Sequence, residues 1–280
     1  MKLLRVGDAG SEKPAVLDEN GVARDVSSIV SDYSPETLGP ALISQLRAAD
    51  LTSLPALPAG MRIGAPVSRV GHFIAIGLNY ADHAAETGAA IPKEPIVFSK
   101  APSCLSGPND NVVLPRGSVK TDWEVELAVV IGKRGEYIEQ SEALDYVLAY
   151  ALCNDVSERE YQAERGGQWI KGKSAPTFGP LGPWMVTPDE ISDPQALEMF
   201  LDVNGEKAQR GNTATMIFPV AELISYLSRF MRLEPGDVIT TGTPPGVGLG
   251  RKPPLFLKAG DTMRLGIDGL GEQSQTVVAQ

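Results

Sequence analysis

The sequence of 280 residues contains no long apolar run. No segment approaches the roughly 18 apolar residues of a membrane-spanning helix, and the opening MKLLRVGDAG lacks the apolar core of a secretory signal peptide. Cysteine is also scarce, since Cys104 and Cys153 are the only two and lie outside any CxxC spacing. These absences argue against a membrane protein, a disulfide framework and a cysteine-based zinc site. They predict a cytoplasmic protein with reduced, structural thiols.

Basic residues are outnumbered by acidic ones. The chain has 25 Lys and Arg against 35 Asp and Glu, a net charge of −10 and a pI near 4.8. Such a protein is repelled by nucleic acid and by anionic membranes, so we expect neither as a partner. With 42% hydrophobic and 21% charged residues, the composition is that of a globular protein. A small-molecule partner is therefore the expectation.

The chain divides into two parts on its local patterns. Residues 1–70 predict a small N-terminal domain and linker, with short strands at Lys2–Val6 and Ala15–Asp18, helical segments up to about residue 49, and a connector rich in Pro and Gly. Residues 71–280 contain recurring β-like runs separated by Gly, Pro and Asp turns, and one clear helix at Phe218–Phe230. The predicted fold class is mostly β with peripheral helices, an α+β fold.

The stretch TDWEVEL begins an apolar strand with two carboxylates on one face, Glu124 and Glu126. Like charges on a buried strand repel, so a positive partner is needed. Asp155 ends another apolar strand, before a predicted helix start in which Ser157 and Glu160 form a capping box. Three carboxylates favour Mg²⁺, Mn²⁺ or Ca²⁺ over zinc or copper. The alternative is that both glutamates face solvent on an edge strand and Asp155 is only a polar residue before a helix.

Histidine is as scarce as cysteine, so an imidazole base must be His72 or His83. His72 opens an apolar run and is interpreted as structural. His83 lies in GLNYADHAAETG, where Glu86 follows at i+3 on the same helical face and can orient the ring for proton transfer from water. A plain surface pair is the competing interpretation.

Residues 167–174, GQWIKGKS, match a phosphate-binding loop by letter, but neither a strand before them nor a helix after them is predicted. Lys173 is then available as a pocket cation. Arg159 and Gln162, at i and i+3 after Asp155, can point the same way and bind an anion or a developing oxyanion. In TGTPPGVGLG, backbone amides or the Thr243 hydroxyl can line a pocket. The alternative is a solvated helix face and a surface lysine.

Several segments together resemble the fumarylacetoacetate hydrolase family. They are GLNYADHAAETG, PIVFSK, DWEVELAVVIGK, NDVSERE, QWIKGKS, FGPLGPW, VNGE, LEPGDVITTGTPPGVG and FLKAGD, in this order and over residues 71–271. The preceding part is similar to the small N-terminal domain of shorter bacterial members, which are labelled ureidoglycolate lyase or 2,4-dioxo-3-deoxy sugar acid hydrolase.

The resemblance implies a mixed β-roll catalytic domain, a buried divalent metal, usually Mg²⁺, and a homodimeric enzyme. It assigns the metal to Glu124, Glu126 and Asp155. It assigns catalytic roles to His83, Glu86 and Lys173 and substrate-binding roles to Arg159, Gln162 and Thr243.

The implied reaction is hydrolysis of a C–C bond in a 2,4-dioxo acid, either an acylpyruvate or a dioxo sugar acid, with release of pyruvate. His83 would deprotonate the water. Relatives with the same enolate chemistry isomerise, decarboxylate or hydrate related oxo acids. An isomerase or decarboxylase of 2-hydroxymuconate-type oxo acids and a ureidoglycolate lyase therefore remain alternatives. A non-catalytic metal-binding scaffold is a further one.

Overall fold

Strands carry most of the regular structure in the computed structural model, which describes residues 1–88 and 90–280. This confirms the mostly β fold class. The strands are β1 (Lys2–Val6), β2 (Lys13–Leu17), β3 (Ala23–Asp25), β4 (Ile63–Gly64), β5 (Phe73–Gly77), β6 (Ile96–Lys100), β7 (Leu105–Ser106), β8 (Val112–Leu114), β9 (Thr121–Asp122), β10 (Val125–Ile131), β11 (Val147–Asn154), β12 (Ser157–Glu158), β13 (Gly179–Pro180), β14 (Met185–Val186), β15 (Glu198–Val203), β16 (Glu206–Asn212), β17 (Val238–Thr240), β18 (Thr262–Ile267) and β19 (Gly271–Ala279).

The helices are short and lie between the strands. The α-helices are α1 (Pro40–Ala48), α2 (Ala81–Thr87), α3 (Ile170–Lys173) and α4 (Val220–Leu227), and the segment Glu160–Glu164 is π-helical. The 3₁₀ turns are Leu51–Ser53, Pro102–Cys104, Gln140–Tyr146, Pro188–Glu190, Thr213–Thr215 and Gly248–Gly250. Among these described segments, none is a helix long and apolar enough to cross a membrane.

Helix α4 is shorter than the predicted span Phe218–Phe230. Pro219 adopts an extended backbone at the N-cap, so the helix begins at Val220, and it ends at Leu227. The apolar stripe still packs inward, because Val220, Leu223, Ile224 and Leu227 are buried.

A large sheet forms the centre of the molecule, in the strand order β3-β2-β1-β14-β11-β10-β17-β5-β6, with β4 paired to β1. Strands β10 and β11 are antiparallel and buried along their whole length. A second sheet, in the order β16-β15-β18-β19-β8, packs against these two strands through β15, β18 and β19. Because neighbours cover both faces of β10, its sequence VELAVVI shows little alternation.

The N-terminal strands extend the large sheet. Strand β1 pairs with β14 at Lys2↔Val186 and Leu3↔Met185, and Leu3 and Val16 belong to the same hydrophobic core as Val129. The connector at residues 51–70 is largely irregular, apart from a 3₁₀ turn and β4. The division of the chain at residue 70 stays a prediction.

Candidate active site

Three carboxylates meet where β10 begins and β11 ends. In the antiparallel register Val125 lies opposite Asn154, so Glu124, Glu126 and Asp155 are brought to the same place from two chain segments. Each offers an oxygen within 4.8 Å of the others, and all three side chains are buried. The edge-strand alternative is therefore wrong for both glutamates.

Two of these carboxylates are paired with buried cations. Glu124 accepts from Arg159 Nη1 at 2.7 Å and from Lys173 Nζ at 2.8 Å, and Asp155 accepts from Lys173 Nζ at 2.7 Å. Burial alone would raise the pKa of Glu124, but Lys173 and Arg159 outweigh it and hold the pKa well below its usual range. The positive partner that the sequence analysis expected for the buried glutamates is therefore present for Glu124.

Lys100, at the end of PIVFSK, was missed by the sequence reasoning. Its ammonium is fully buried and lies 2.5 Å from Asp155 Oδ1 and 2.5 Å from the carbonyl oxygen of Lys173. Burial would lower the pKa of Lys100, but Asp155 outweighs it and raises the pKa. A lysine that closes an otherwise apolar strand was the available signal, because such a charge needs a buried partner.

Glu126 has no such partner. The N–H of Gly242 donates to its Oε2 at 2.9 Å, but no lysine or arginine of residues 1–88 and 90–280 forms an ion pair with it. Burial, together with the nearby charges of Asp155 and Glu124, raises the pKa of Glu126 well above its usual value. A buried carboxylate without a counter-ion, close to two other oxygen donors, fits a hard divalent cation such as Mg²⁺ or Mn²⁺.

His83 and Glu86 lie on α2 at the rim of the same pocket. His83 is buried, and its Nδ1 lies 3.1 Å from Glu86 Oε2. Glu86 also accepts from the N–H of Gly246, at 3.0 Å to Oε1. A carboxylate only accepts hydrogen bonds, so this contact places the proton of the neutral imidazole on Nδ1 and makes Nε2 the basic nitrogen. His72 lies outside the pocket, with a side chain 55% exposed.

Arg159 and Gln162 contact each other as the i, i+3 spacing predicts, with Arg159 Nη1 donating to Gln162 Oε1 at 3.1 Å. The capping box predicted before them is wrong. Ser157 lies in strand β12 and donates its hydroxyl to the carbonyl of Asp155 at 2.8 Å, and the helix after it is a π-helical turn. This turn brings both side chains to the pocket.

Asp122, the first carboxylate of DWEVEL, was also missed. It is fully buried and accepts from Arg159 Nε at 2.8 Å, from the N–H of Gly248 at 2.7 Å and from the N–H of Leu249 at 3.0 Å. It therefore ties the pocket arginine to a distant loop. With Asp122 counted, four buried carboxylates of this cluster face three cations.

The amides of Gly242, Gly246, Gly248 and Leu249 belong to one glycine-rich loop, residues 241–250. Through main-chain N–H groups this loop holds three different carboxylates of the site. The sequence analysis expected these amides to line a pocket, and in the structure they donate to the carboxylates of the site instead. Thr243 lines the pocket, but its hydroxyl donates to the carbonyl of Val125 at 2.9 Å.

The pocket has a volume of about 270 Å³. Seven of the nine residues predicted from the sequence line it, and the other two, Glu86 and Asp155, lie directly behind it. The lining residues are Ile76, Gly77, Leu78, His83, Phe98, Glu124, Glu126, Arg159, Gln162, Ala163, Trp169, Lys173, Gly242, Thr243, Val247 and Leu249.

Comparison with known proteins places this site in a family. The family model described as fumarylacetoacetate (FAA) hydrolase, C-terminal, matches residues 72–278. The chain belongs to the fumarylacetoacetate hydrolase family. It is also 61% identical over 277 residues to a Burkholderia ambifaria protein with a general hydrolase name, and the match covers 99% of this chain and 98% of the relative.

Solved structures in this family resemble the chain along its whole length. A maleylpyruvate hydrolase from Sphingobium sp. SYK-6, in complex with manganese(II) and pyruvate, is 30% identical with a TM-score of 0.83 and covers 100% of this chain and 99% of its own. A 5-carboxymethyl-2-hydroxymuconate delta-isomerase from Mycobacterium smegmatis is 31% identical with a TM-score of 0.79, with coverage of 100% and 99%. The family fold therefore carries both hydrolases and isomerases.

Proposed function

We propose that the chain is a Mg²⁺-dependent hydrolase that cleaves the C3–C4 bond of a 2,4-dioxo acid and releases pyruvate. The observation that carries the proposal is the meeting, in one pocket, of a three-carboxylate cluster with a histidine oriented by a carboxylate. Manganese and pyruvate in the Sphingobium hydrolase support the same class of ion and product.

The ion would be held by Glu124, Glu126 and Asp155. Bound there, a divalent cation supplies a positive centre for the carboxylate and 2-oxo oxygens of the substrate and for the charge of the departing enolate. The burial of Glu126 beside the two other carboxylates, with no ion pair to it from the described residues, supports this assignment. Mg²⁺, Mn²⁺ and Ca²⁺ all accept such an oxygen set.

His83 is placed to act as the general base. With Nδ1 held by Glu86, Nε2 takes a proton from water, and the hydroxide equivalent attacks the C4 carbonyl carbon. The contact between Glu86 and the Gly246 amide fixes the orienting carboxylate from behind. Lys173, or Arg159 together with Gln162, would donate hydrogen bonds to the resulting oxyanion on C4.

Collapse of this oxyanion breaks the C3–C4 bond. The electron pair of that bond goes to C3, which leaves a carboxylic acid and the enolate of pyruvate. The proton held by His83 then returns to C3, so that water and the dioxo acid are converted to two carboxylic acids. One oxyanion donor is typically worth about 3 kcal/mol of barrier, so loss of Lys173 would slow this step severely.

An isomerase or decarboxylase of 2-hydroxymuconate-type acids is the second candidate, favoured by the likeness to the Mycobacterium isomerase. Ureidoglycolate lyase activity is a third candidate, in which the C–N bond of ureidoglycolate breaks to give glyoxylate and urea. Hydrolysis is preferred because the His83–Glu86 pair is intact and supplies the water activation that only hydrolysis needs. We also propose a homodimer, which sedimentation analysis would test.

The deciding experiment is a panel of 2,4-dioxo acids, dioxo sugar acids, hydroxymuconate-type acids and ureidoglycolate, with and without EDTA. Pyruvate and glyoxylate release and the ultraviolet change of isomerisation are followed. His83→Ala should lower hydrolysis at least about 100-fold while ion binding persists, and His72→Ala is the matched control. Absence of pyruvate release from every dioxo acid, with Mg²⁺ or Mn²⁺ present, would contradict the proposal.

A further inference from the structure

The pocket is lined by a cluster of charged residues and by a set of apolar side chains. The charged groups and their partners gather on the side of the carboxylate cluster, where Lys173 and Arg159 contact Glu124. The remaining wall is built from the side chains of Leu78, Phe98, Ala163, Trp169, Val247 and Leu249. A ligand held at the cluster therefore meets hydrocarbon in its remaining part.

The apolar wall begins at the residues proposed to act on C4. Lys173 Nζ lies 5.3 Å from the ring centroid of Phe98, and the rings of Phe98 and Trp169 are 5.2 Å apart and tilted by 59°. Val247 and Leu249 also line the pocket, and they follow Gly246, whose amide holds the Glu86 carboxylate. A substituent on C4 would therefore meet the apolar side chains of these two segments.

The backbone of β5 makes room for this wall. A Cβ at Gly77 would lie 2.3 Å from Cζ3 of Trp169, so the indole fits only because the residue is glycine. Leu249 is 45% exposed, which leaves a large apolar side chain uncovered beside the cavity. Covering it with a ligand hydrocarbon removes apolar area from water and is favourable.

No cation on this wall is available for a second carboxylate. In the part of the chain that the structure describes, the lysine and the arginine that line the pocket are Lys173 and Arg159, and both lie at the carboxylate cluster in contact with Glu124, where the proposed reaction uses them. A distal carboxylate or a polyol would lose hydration against hydrocarbon without a replacement partner, which is costly.

We propose that the pocket selects 2,4-dioxo acids whose C4 substituent is an apolar alkyl or aryl group, with Trp169, Phe98 and Leu249 as the specificity-determining residues. The inference rests on the proposed function and names its substrate class. Dicarboxylates and sugar-derived dioxo acids are correspondingly poor substrates.

The test is a series of straight-chain acylpyruvates, from acetylpyruvate to hexanoylpyruvate, compared with maleylpyruvate and a dioxo sugar acid. Each added methylene should raise kcat/KM by about fourfold until the wall is covered, which corresponds to about 0.8 kcal/mol. A higher kcat/KM for the dicarboxylate or the sugar acid, or no rise with chain length, would overturn the inference and leave hydrolysis standing.

Binding provides a measurement that does not depend on turnover. Straight-chain 2-oxo acids of increasing length, titrated by calorimetry with Mg²⁺ present, should bind more tightly along the series by a similar factor. If this holds while no dioxo acid is hydrolysed, the proposed reaction is wrong but the apolar subsite is right. If the binding affinity does not rise with chain length, the apolar subsite is rejected.

Leu249→Lys sharpens the result, because it places a cation on an exposed position of the wall. It should reduce the chain-length gain and improve maleylpyruvate relative to hexanoylpyruvate by at least about tenfold, the range of one charged hydrogen bond. Leu144→Lys is the matched control, since Leu144 is 44% exposed and lies outside the pocket, on the 3₁₀ turn Gln140–Tyr146. An equal change in the ratio of kcat/KM for maleylpyruvate to that for hexanoylpyruvate in the two variants would contradict the proposal.

Discussion

Asp122→Asn tests whether the carboxylate behind Arg159 positions the site or only stabilises the fold. Asp122 Oδ2 accepts from Arg159 Nε at 2.8 Å and from the N–H of Leu249 at 3.0 Å, whereas Oδ1 accepts from the amides of Gly248 and Trp123 at 2.7 and 2.8 Å. Asparagine keeps one oxygen and puts an NH₂ group in place of the other. Whichever way the amide is turned, its NH₂ group then faces two N–H donors and cannot accept a hydrogen bond from either.

The cost can be bounded from these contacts. Loss of one partner of a buried ion pair typically costs about 3–5 kcal/mol. This is less than the 5–15 kcal/mol that usually separates folded from unfolded protein, so the variant should still fold. Arg159 keeps its contact with Glu124. We therefore expect a loss of about 3–4 kcal/mol in the free energy of unfolding and a fall in kcat/KM of at least about tenfold, since one oxyanion donor is worth more than that.

Urea unfolding and steady-state kinetics on the same preparation provide the measurement. The control is Asp110→Asn, because Asp110 also accepts from an arginine, Arg62, at 2.8 and 2.6 Å, but outside the pocket and with a side chain 27% exposed. It should lose about 1 kcal/mol and no activity. A normal kcat/KM for Asp122→Asn, despite lower stability, would refute a positioning role.

Three further predictions concern separate features. Glu126→Gln replaces a carboxyl group whose charged form burial and its neighbours disfavour, so without divalent ions the melting temperature at neutral pH should not fall, whereas added Mn²⁺ should stabilise only the unmodified protein. Calorimetric Mn²⁺ binding by the variant would speak against the cluster. Gly77→Ala should displace the Trp169 indole, lower the free energy of unfolding by about 1–3 kcal/mol and shift the tryptophan fluorescence. An unchanged spectrum and an unchanged stability would show that the indole can move without cost. Burial would raise the pKa of Asp110, but Arg62 outweighs burial and lowers this pKa below the ordinary value of 3.8. The ion pair therefore stabilises the fold above pH 3.8, and this stabilisation is lost as the pH falls through the lower pKa of the folded state. The difference in unfolding free energy between unmodified protein and Asp110→Asn should shrink below about pH 4, and a difference independent of pH would exclude the pairing.

Local patterns predicted those parts of the site that depend on short-range spacing. Three features were readable from the sequence: the i, i+2 carboxylates at the start of β10, the i, i+3 pair on α2, and the position of Asp155 after an apolar strand. The β10–β11 register brings the three carboxylates together, which the residue spacing had left open against a solvent-facing alternative. Only the family resemblance joined the pair on α2 to them.

The contacts that sequence reasoning missed join distant segments. Lys100 reaches Asp155 across 55 positions, and the amide of Gly248 reaches Asp122 across 126. No local periodicity encodes such pairs. The capping box failed because Ser157 is extended in β12 and pairs with Asp122 of β9, which lies 35 positions earlier in the chain, so no helix begins there.

The main chain of the loop at residues 241–250 holds the carboxylates of the site, whereas its side chains line the pocket. The amide contacts do not depend on the side chains at positions 247 and 249, provided that position 249 is not proline. Exchanges there can reshape the acyl-facing surface while the acidic cluster and the histidine keep their supports. Descendants of such a protein can thus acquire new substrates through changes in one short segment, without rebuilding the reaction centre.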